Sequence, residues 1–175
     1  MTNGHSDTTE DVSMLLNHIK ALCGHDETVY EYFCSWIGHM LKYPAIKSKC
    51  ITLISKQGAG KGTLIDLLKR MIGAYRVLST SKPSREVWGM FNGQMEHAFL
   101  VNLDELSKKE TVDSLGEIKK LITDDTLTIS RKGVGQYDIR SFHRFIVTTN
   151  NEDPIRSDAD DRRNLIIRSS DEFCF

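Results

Sequence analysis

Ile51-Thr52-Leu53-Ile54-Ser55-Lys56-Gln57-Gly58-Ala59-Gly60-Lys61-Gly62-Thr63 decides the reading of this chain. An apolar, β-branched run enters a glycine-rich turn, and an apolar-periodic segment, Leu64 to Ile72, follows at once. Strand, turn and helix in that order make a phosphate-cradling loop. Glycines let backbone N–H groups curl around an anion with no Cβ in the way, and the helix start adds its partial positive charge. Gln57, Gly58, Ala59, Gly60, Lys61, Gly62, Thr63 and Leu64 are therefore expected to wrap the phosphates of a nucleoside triphosphate such as ATP. Lys61 would reach the β and γ phosphates, and a hydroxyl would stand near Mg²⁺. A glycine-rich turn with no ligand is the plainer alternative.

The loop departs from the pattern G-x-x-x-x-G-K-[ST] twice. Ser55 stands where the first glycine belongs, a mild change because a small residue tolerates a tight turn. Gly62 stands where the Ser or Thr belongs, so the metal-facing hydroxyl moves to Thr63, one position late.

Composition narrows the class. The 175 residues fit one domain with a short helical appendage, and 39% hydrophobic with 27% charged residues excludes a disordered chain. A net charge of −1 supplies no global basic field, so any nucleic-acid contact must come from local clusters. No apolar run is long enough to suggest a membrane span, and the polar start lacks a signal-peptide core. Cys23, Cys34, Cys50 and Cys174 are scattered without a C-x-x-C pair, so an intracellular, reducing compartment is expected. Cys23, His25, Cys34 and His39 could be assembled on paper into a zinc site, but their spacing fits no common zinc motif.

Along the chain, residues 1–11 read as a flexible tail, 12–45 as an amino-terminal helical bundle and 46–175 as an α/β core. Val12 to Cys23 and Asp26 to Leu41 carry apolar residues at helical spacing, the first capped by Thr9 or Asp11 and the second closed by Pro44. In the core, strands are expected at 50–54, Tyr75 to Ser79, His97 to Leu103, Arg144 to Thr149 and Asn164 to Arg168. Helices are expected at 61–72, Ser84 to Met90 and Thr111 to Ile122. Thr126 to Arg131 and Gln136 to Phe142 alternate around Lys132-Gly133-Val134-Gly135, a hairpin pattern.

A second group of residues completes the chemistry that triphosphate hydrolysis requires. Asp104-Glu105 follows the apolar strand 97–103: Asp104 would face the metal and Glu105 would polarise the attacking water as general base. A solvated turn is the alternative for this pair. Asn150 closes another strand, where a neutral amide could touch the γ phosphate or the water without adding charge; a simple turn residue is the alternative. Arg162 or Arg163, after Asp160-Asp161, could reach a triphosphate on a neighbouring subunit, unless the aspartates hold it internally. Arg131-Lys132-Gly133 forms a basic, permissive hairpin tip that could meet a phosphate backbone; Lys108-Lys109 and Lys119-Lys120 read as solvated faces.

Taken in order, Gln57 to Thr63, Phe99 to Glu105, Arg131-Lys132-Gly133, Phe145 to Asn150 and Asp161-Arg162-Arg163-Asn164 resemble a superfamily 3 helicase, a branch of the AAA+ ATPases. The likeness is to the primase-helicase ATPases of large DNA viruses, phages and mobile elements, and covers residues 45–170. It implies a central parallel sheet of order 5-1-4-3-2, with Lys61 and Thr63 as Walker A and Asp104 and Glu105 as Walker B. It further implies Asn150 as the polar sensor, Arg162 or Arg163 as an arginine finger in trans, and Arg131 and Lys132 lining a channel that grips single-stranded DNA. It implies a homo-hexamer without the usual carboxy-terminal lid, and a primase or origin-binding domain as a partner. The function expected on this likeness is an ATP-driven DNA helicase motor of phage or viral replication. Nucleoside monophosphate kinases also read G-A-G-K-G-T, so a small-molecule phosphotransferase is the alternative, and a non-hydrolysing ATP-binding module a third.

Overall fold

The computed structural model describes residues 8–106, 108–151 and 162–172. Two helices lead: α1 (Thr8–Leu22) and α2 (Glu27–Lys42). Strand β1 (Cys50–Ile54), helix α3 (Lys61–Ile72), strand β2 (Val77–Thr80) and the short helix α4 (Pro83–Glu86) follow. Next come β3 (Leu100–Asp104), α5 (Lys108–Thr123), the hairpin β4 (Thr126–Arg131) and β5 (Val134–Arg140), then β6 (Arg144–Thr149) and β7 (Asn164–Arg168).

Five strands form one sheet in the order β2-β3-β6-β1-β7, and among the described residues β4 pairs only with β5. All four pairings of the large sheet are parallel. Counting its strands alone from 1 to 5, the order is 5-1-4-3-2, the one expected. The central strands β1 and β6 are buried along their whole length, as a sheet covered on both faces requires.

One apolar cluster joins Ile19 and Leu22 of α1, Phe33, Trp36, Ile37 and Met40 of α2, Ile51 and Leu53 of β1, and Leu64, Ile65 and Leu68 of α3. The leading helices thus share a core with the sheet. Trp36 Nε1 donates to Lys49 O at 2.8 Å, tying α2 to the entry of β1. A second cluster, with Val101, Leu103, Phe145 and Val147 from the sheet, receives Ile118, Leu121 and Ile122 of α5 and Ile129 of the hairpin. Arg144, fully buried at the start of β6, donates to the carbonyls of Tyr43 and Ile46 and fixes the connection between α2 and β1.

Several expected boundaries move. Helix α1 begins at Thr8, so residues 8–11 are helical and the expected caps Thr9 and Asp11 lie inside the helix, not before it; residues 1–7 of the expected tail lie outside the described residues. Asp26 is the cap of α2, its carboxylate accepting from Val29 N at 3.1 Å. The helix expected over Ser84 to Met90 stops after one turn. Val87 N and Trp88 N both bond Pro83 O, and a Cβ at Gly89 would lie 2.4 Å from Ser84 O. Strand β3 starts at Leu100 because Gly93–Glu96 winds into a 3-10 turn. The hairpin loop is only Lys132-Gly133: Gly133 adopts φ +79°, and Arg131 pairs directly with Val134.

Candidate functional site

The carboxyl ends of β1, β3 and β6 open on one cleft of about 480 Å³, the usual place for a ligand in a parallel sheet. Gln57, Gly58, Ala59, Gly60, Lys61, Gly62 and Thr63 line it together with Ser79, Asn102, Asp104, Glu105, Thr148 and Asn150. The register explains the convergence. Ile54 pairs with Thr149, so Ser55 and Asn150 leave the sheet side by side; Asp104 pairs with Thr148.

The loop turns at Gly58 and Gly60, with φ of +87° and +85°. Gly60 is the N-cap of α3 and has no side chain to offer, so no side chain caps the helix start that lines the cleft. The Lys61 ammonium is 11% exposed and donates to Ser55 O at 3.1 Å, Ser55 Oγ at 2.9 Å, Lys56 O at 3.3 Å and Asn150 Oδ1 at 2.5 Å. Glu105 Oε1 stands 3.8 Å from it. Ser55, the departure from the first glycine, is thus a lysine-holding hydroxyl.

A polar chain crosses the strand ends. Asn102 Nδ2 donates to Ser79 Oγ at 2.9 Å. The Thr148 hydroxyl lies 3.0 Å from Asn102 Oδ1 and 2.6 Å from Asp104 Oδ1. Glu105 N donates to Thr148 O at 2.8 Å, and Glu105 itself adopts φ +49°, a conformation that side chains disfavour. That turn at the end of β3 lifts Glu105 out of the strand toward Lys61. Ser79, Asn102 and Thr148 were not among the sequence candidates, because hydroxyl and amide residues inside apolar strands show no motif.

Other expected positions lie elsewhere. Leu64 does not line the cleft: its side chain is fully buried in the core, and its N–H is taken by Gly60 O at 3.2 Å. Arg162 and Arg163 precede β7 at the opposite end of the sheet, where Cys50 N donates to Arg163 O, roughly 15 Å of strand away from the cleft. Asp160 and Asp161 lie outside the described residues. At the hairpin, Arg131 is paired with Glu96, and Lys132 stands exposed at the tip.

Thr63 is exposed on the first turn of α3 and lines the same cleft as Asp104. Their hydroxyl and carboxylate are hard oxygen donors, a set that fits Mg²⁺. The zinc set drawn from Cys23, His25, Cys34 and His39 does not come together. Among the described residues no group of three or more His, Cys, Asp or Glu could hold a metal ion. Burial pushes the Cys23 thiol up to about 12, and His25 is paired with Glu172 at 2.6 Å. No helix among the described residues is long and apolar enough to cross a membrane.

A family model described as a family of unknown function (DUF5906) matches residues 53–163. The chain is similar to the DNA primase-polymerase of Nitratiruptor phage NrS-1, with 29% identity over 158 residues, 89% of this chain and 21% of that protein. It is similar to the apo structure of the NrS-1 C-terminal region, with a TM-score of 0.75 and 26% identity, over 87% of this chain and 37% of the other. A second apo form of that region gives a TM-score of 0.72 and 28% identity, over 88% and 36%. The chain therefore spans 21% of the curated relative and little more than a third of the solved region.

Proposed function

We propose, from the premise that this chain belongs to the DUF5906 family of unknown function, that it is the ATP-hydrolysing motor module of a phage DNA-replication protein, a helicase of superfamily 3 type. The observation that carries the reading is the single cleft in which residues 57–63 meet Asp104, Glu105 and Asn150. The named activity of the NrS-1 relative, a DNA primase-polymerase, supports a replication role.

In this reading the loop amides and the start of α3 bind the phosphates. Lys61 neutralises charge on the β and γ oxygens. Glu105 accepts a proton from the attacking water, and Asn150 orients that water or the γ phosphate. Thr63 and Asp104 would hold Mg²⁺, which when bound neutralises phosphate charge. Thr148 keeps the Asp104 carboxylate aimed, being 2.6 Å from it. Because Arg162 and Arg163 sit at the far end of β7, either could complete only a neighbouring copy's site, which fits a ring assembly, with a homo-hexamer as the expected form. Lys132 and Arg131 would meet single-stranded DNA from the hairpin.

The test is ATP turnover by the purified chain with and without single-stranded DNA, across protein concentration. DNA-stimulated phosphate release that rises steeply with concentration supports the motor and its shared site. Phosphate transferred to AMP instead of water would establish a phosphotransferase. Tight nucleotide binding without turnover would establish a regulatory module.

A further inference from the structure

Helix α1 touches the phosphate loop. His18 Nε2 lies 3.1 Å from Gly60 O; a carbonyl only accepts, so Nε2 carries the proton. The approach is close: a Cβ at Gly60 would fall 2.1 Å from His18 Cε1 and 2.6 Å from Nε2. His18 is not part of the cleft lining, so it meets this peptide from outside the site.

Helix α1, which carries His18, is held in place from one turn further along. Ala21 O, on the same face of α1, accepts from Ser170 N at 2.9 Å. Beyond it, Gly24 packs so tightly on Arg168 O that a Cβ there would lie 2.6 Å away. The chain leaving β7 thus clamps the end of α1, and Asp171 reaches on to Lys56 at the mouth of the loop, 2.5 Å away.

Trans peptides point C=O and N–H in opposite directions, and the chain has no cis peptide among the described residues. With Gly60 O turned toward α1, the Lys61 N–H points away from α1. That N–H belongs to the first turn of α3, where no intrahelical carbonyl can satisfy it. We infer that His18 is a positioning residue: it holds the Gly60 peptide so that the Lys61 amide is presented to an anion, and so couples the amino-terminal helices to nucleotide affinity. The coupling to nucleotide rests on the ATP-binding reading above; the hold on the loop does not.

The experiment compares the whole chain with its His18→Ala and His18→Gln variants, after thermal melting confirms that each is folded. Two measurements are made: hydrogen–deuterium exchange of residues 57–64 in the protein alone, and binding of a non-hydrolysable ATP analogue with Mg²⁺, alongside KM and kcat for ATP. In His18→Ala the loop amides exchange faster, and analogue Kd and KM rise about fivefold, the worth of one neutral hydrogen bond, with kcat within about twofold. His18→Gln, whose amide can donate to the same carbonyl, recovers most of both losses. Unchanged exchange and affinity in His18→Ala, or a Gln variant no better than Ala, overturns the inference. If the unaltered chain binds no analogue, the ATP reading and the coupling fall together, and the exchange comparison still decides whether His18 holds the loop.

Discussion

Lys61 Nζ lies 2.5 Å from Asn150 Oδ1, joining the residue that opens α3 to the residue that follows β6. The parallel pairing of β1 with β6 makes this contact, since Ile54 is level with Thr149. An amide oxygen orients an ammonium without cancelling its charge. Lys61→Ala is expected to lower ATP turnover about 10²–10³-fold, the usual loss when one charge-stabilising donor is removed. Asn150→Ala should lower turnover less and leave nucleotide binding largely intact. Equal and full activity in both, measured by phosphate release, would separate this cleft from the chemistry.

Glu105 combines a strained backbone with an expected role as base. Its φ of +49° costs on the order of 1 kcal/mol for a residue with a side chain. Glu105→Gly should keep or gain stability, by up to about 1 kcal/mol after the entropy cost of glycine. Glu105→Gln should still bind nucleotide while hydrolysis falls about 10²–10⁴-fold. Denaturant melts and single-turnover kinetics check the two halves separately. A Glu105→Gly variant that is both less stable and fully active would contradict both.

Gly60 and Gly62 look alike in the motif and differ in space. A Cβ at Gly60 collides with His18 on a backbone at φ +85°, whereas a Cβ at Gly62 meets nothing within 4 Å. Gly60→Ala should therefore destabilise the protein or displace α1. Gly62→Ala should stabilise α3 by about 0.5–1 kcal/mol. Gly62→Thr places a hydroxyl at the standard motif position beside Thr63, and the double variant Gly62→Thr, Thr63→Ala should retain Mg²⁺-dependent turnover. Loss of turnover in that double variant would show that Thr63 itself is required.

What was readable beforehand follows the range of the interactions involved. Residues 50–72 declare a strand, a loop and a helix through contiguous residues, and the strand-end residues Asp104, Glu105 and Asn150 announce themselves by polarity after apolar runs. The sheet order followed from the family likeness those segments carry. Ser79, Asn102, Thr148 and His18 were not readable, because each acts through a partner distant in the chain that only the register or α1 packing brings near. The two-residue hairpin turn was missed because Gly135 looked like loop; its Cβ position is open, and the strand simply runs through it. The stop of α4 depends on Gly89 folding back onto Ser84 O, which helical spacing alone does not reveal.

His143 should make stability depend on pH. It is buried, donates from Nε2 to Met95 O at 2.8 Å and accepts from Ser141 Oγ at 3.0 Å. Burial pushes its pKa below the ordinary 6.5, with the Met95 bond and Lys47 as smaller influences. The unfolded chain therefore takes up a proton at higher pH than the folded one. The stabilisation from neutral His143 is complete above pH 6.5 and is lost as pH falls from there toward the lowered folded value. Denaturation midpoints should drop between pH 7.5 and pH 5.5, and His143→Gln should flatten that slope. A slope unchanged in the variant would assign it to other groups.

The hairpin tip offers two cations, Arg131 and Lys132, in different states. Asn92 accepts from Ser130 N at 2.9 Å and donates to Thr128 O at 3.0 Å, bolting β4 to the turn that carries Glu96, and Glu96 holds Arg131. Lys132 projects beyond this braced base. If the tip meets single-stranded DNA, Lys132→Ala should weaken binding nearly uniformly across sequences and reduce the salt slope by about one. Glu96→Gln should act in the opposite direction, releasing the Arg131 charge; the pair is half-buried, Arg131 at 42% and Glu96 at 23% exposed, so the cost is on the order of 1 kcal/mol. Fluorescence anisotropy of a labelled oligonucleotide at several salt concentrations reads both. A hairpin that serves only as a structural edge would leave affinity and slope unchanged in Lys132→Ala and in Glu96→Gln alike.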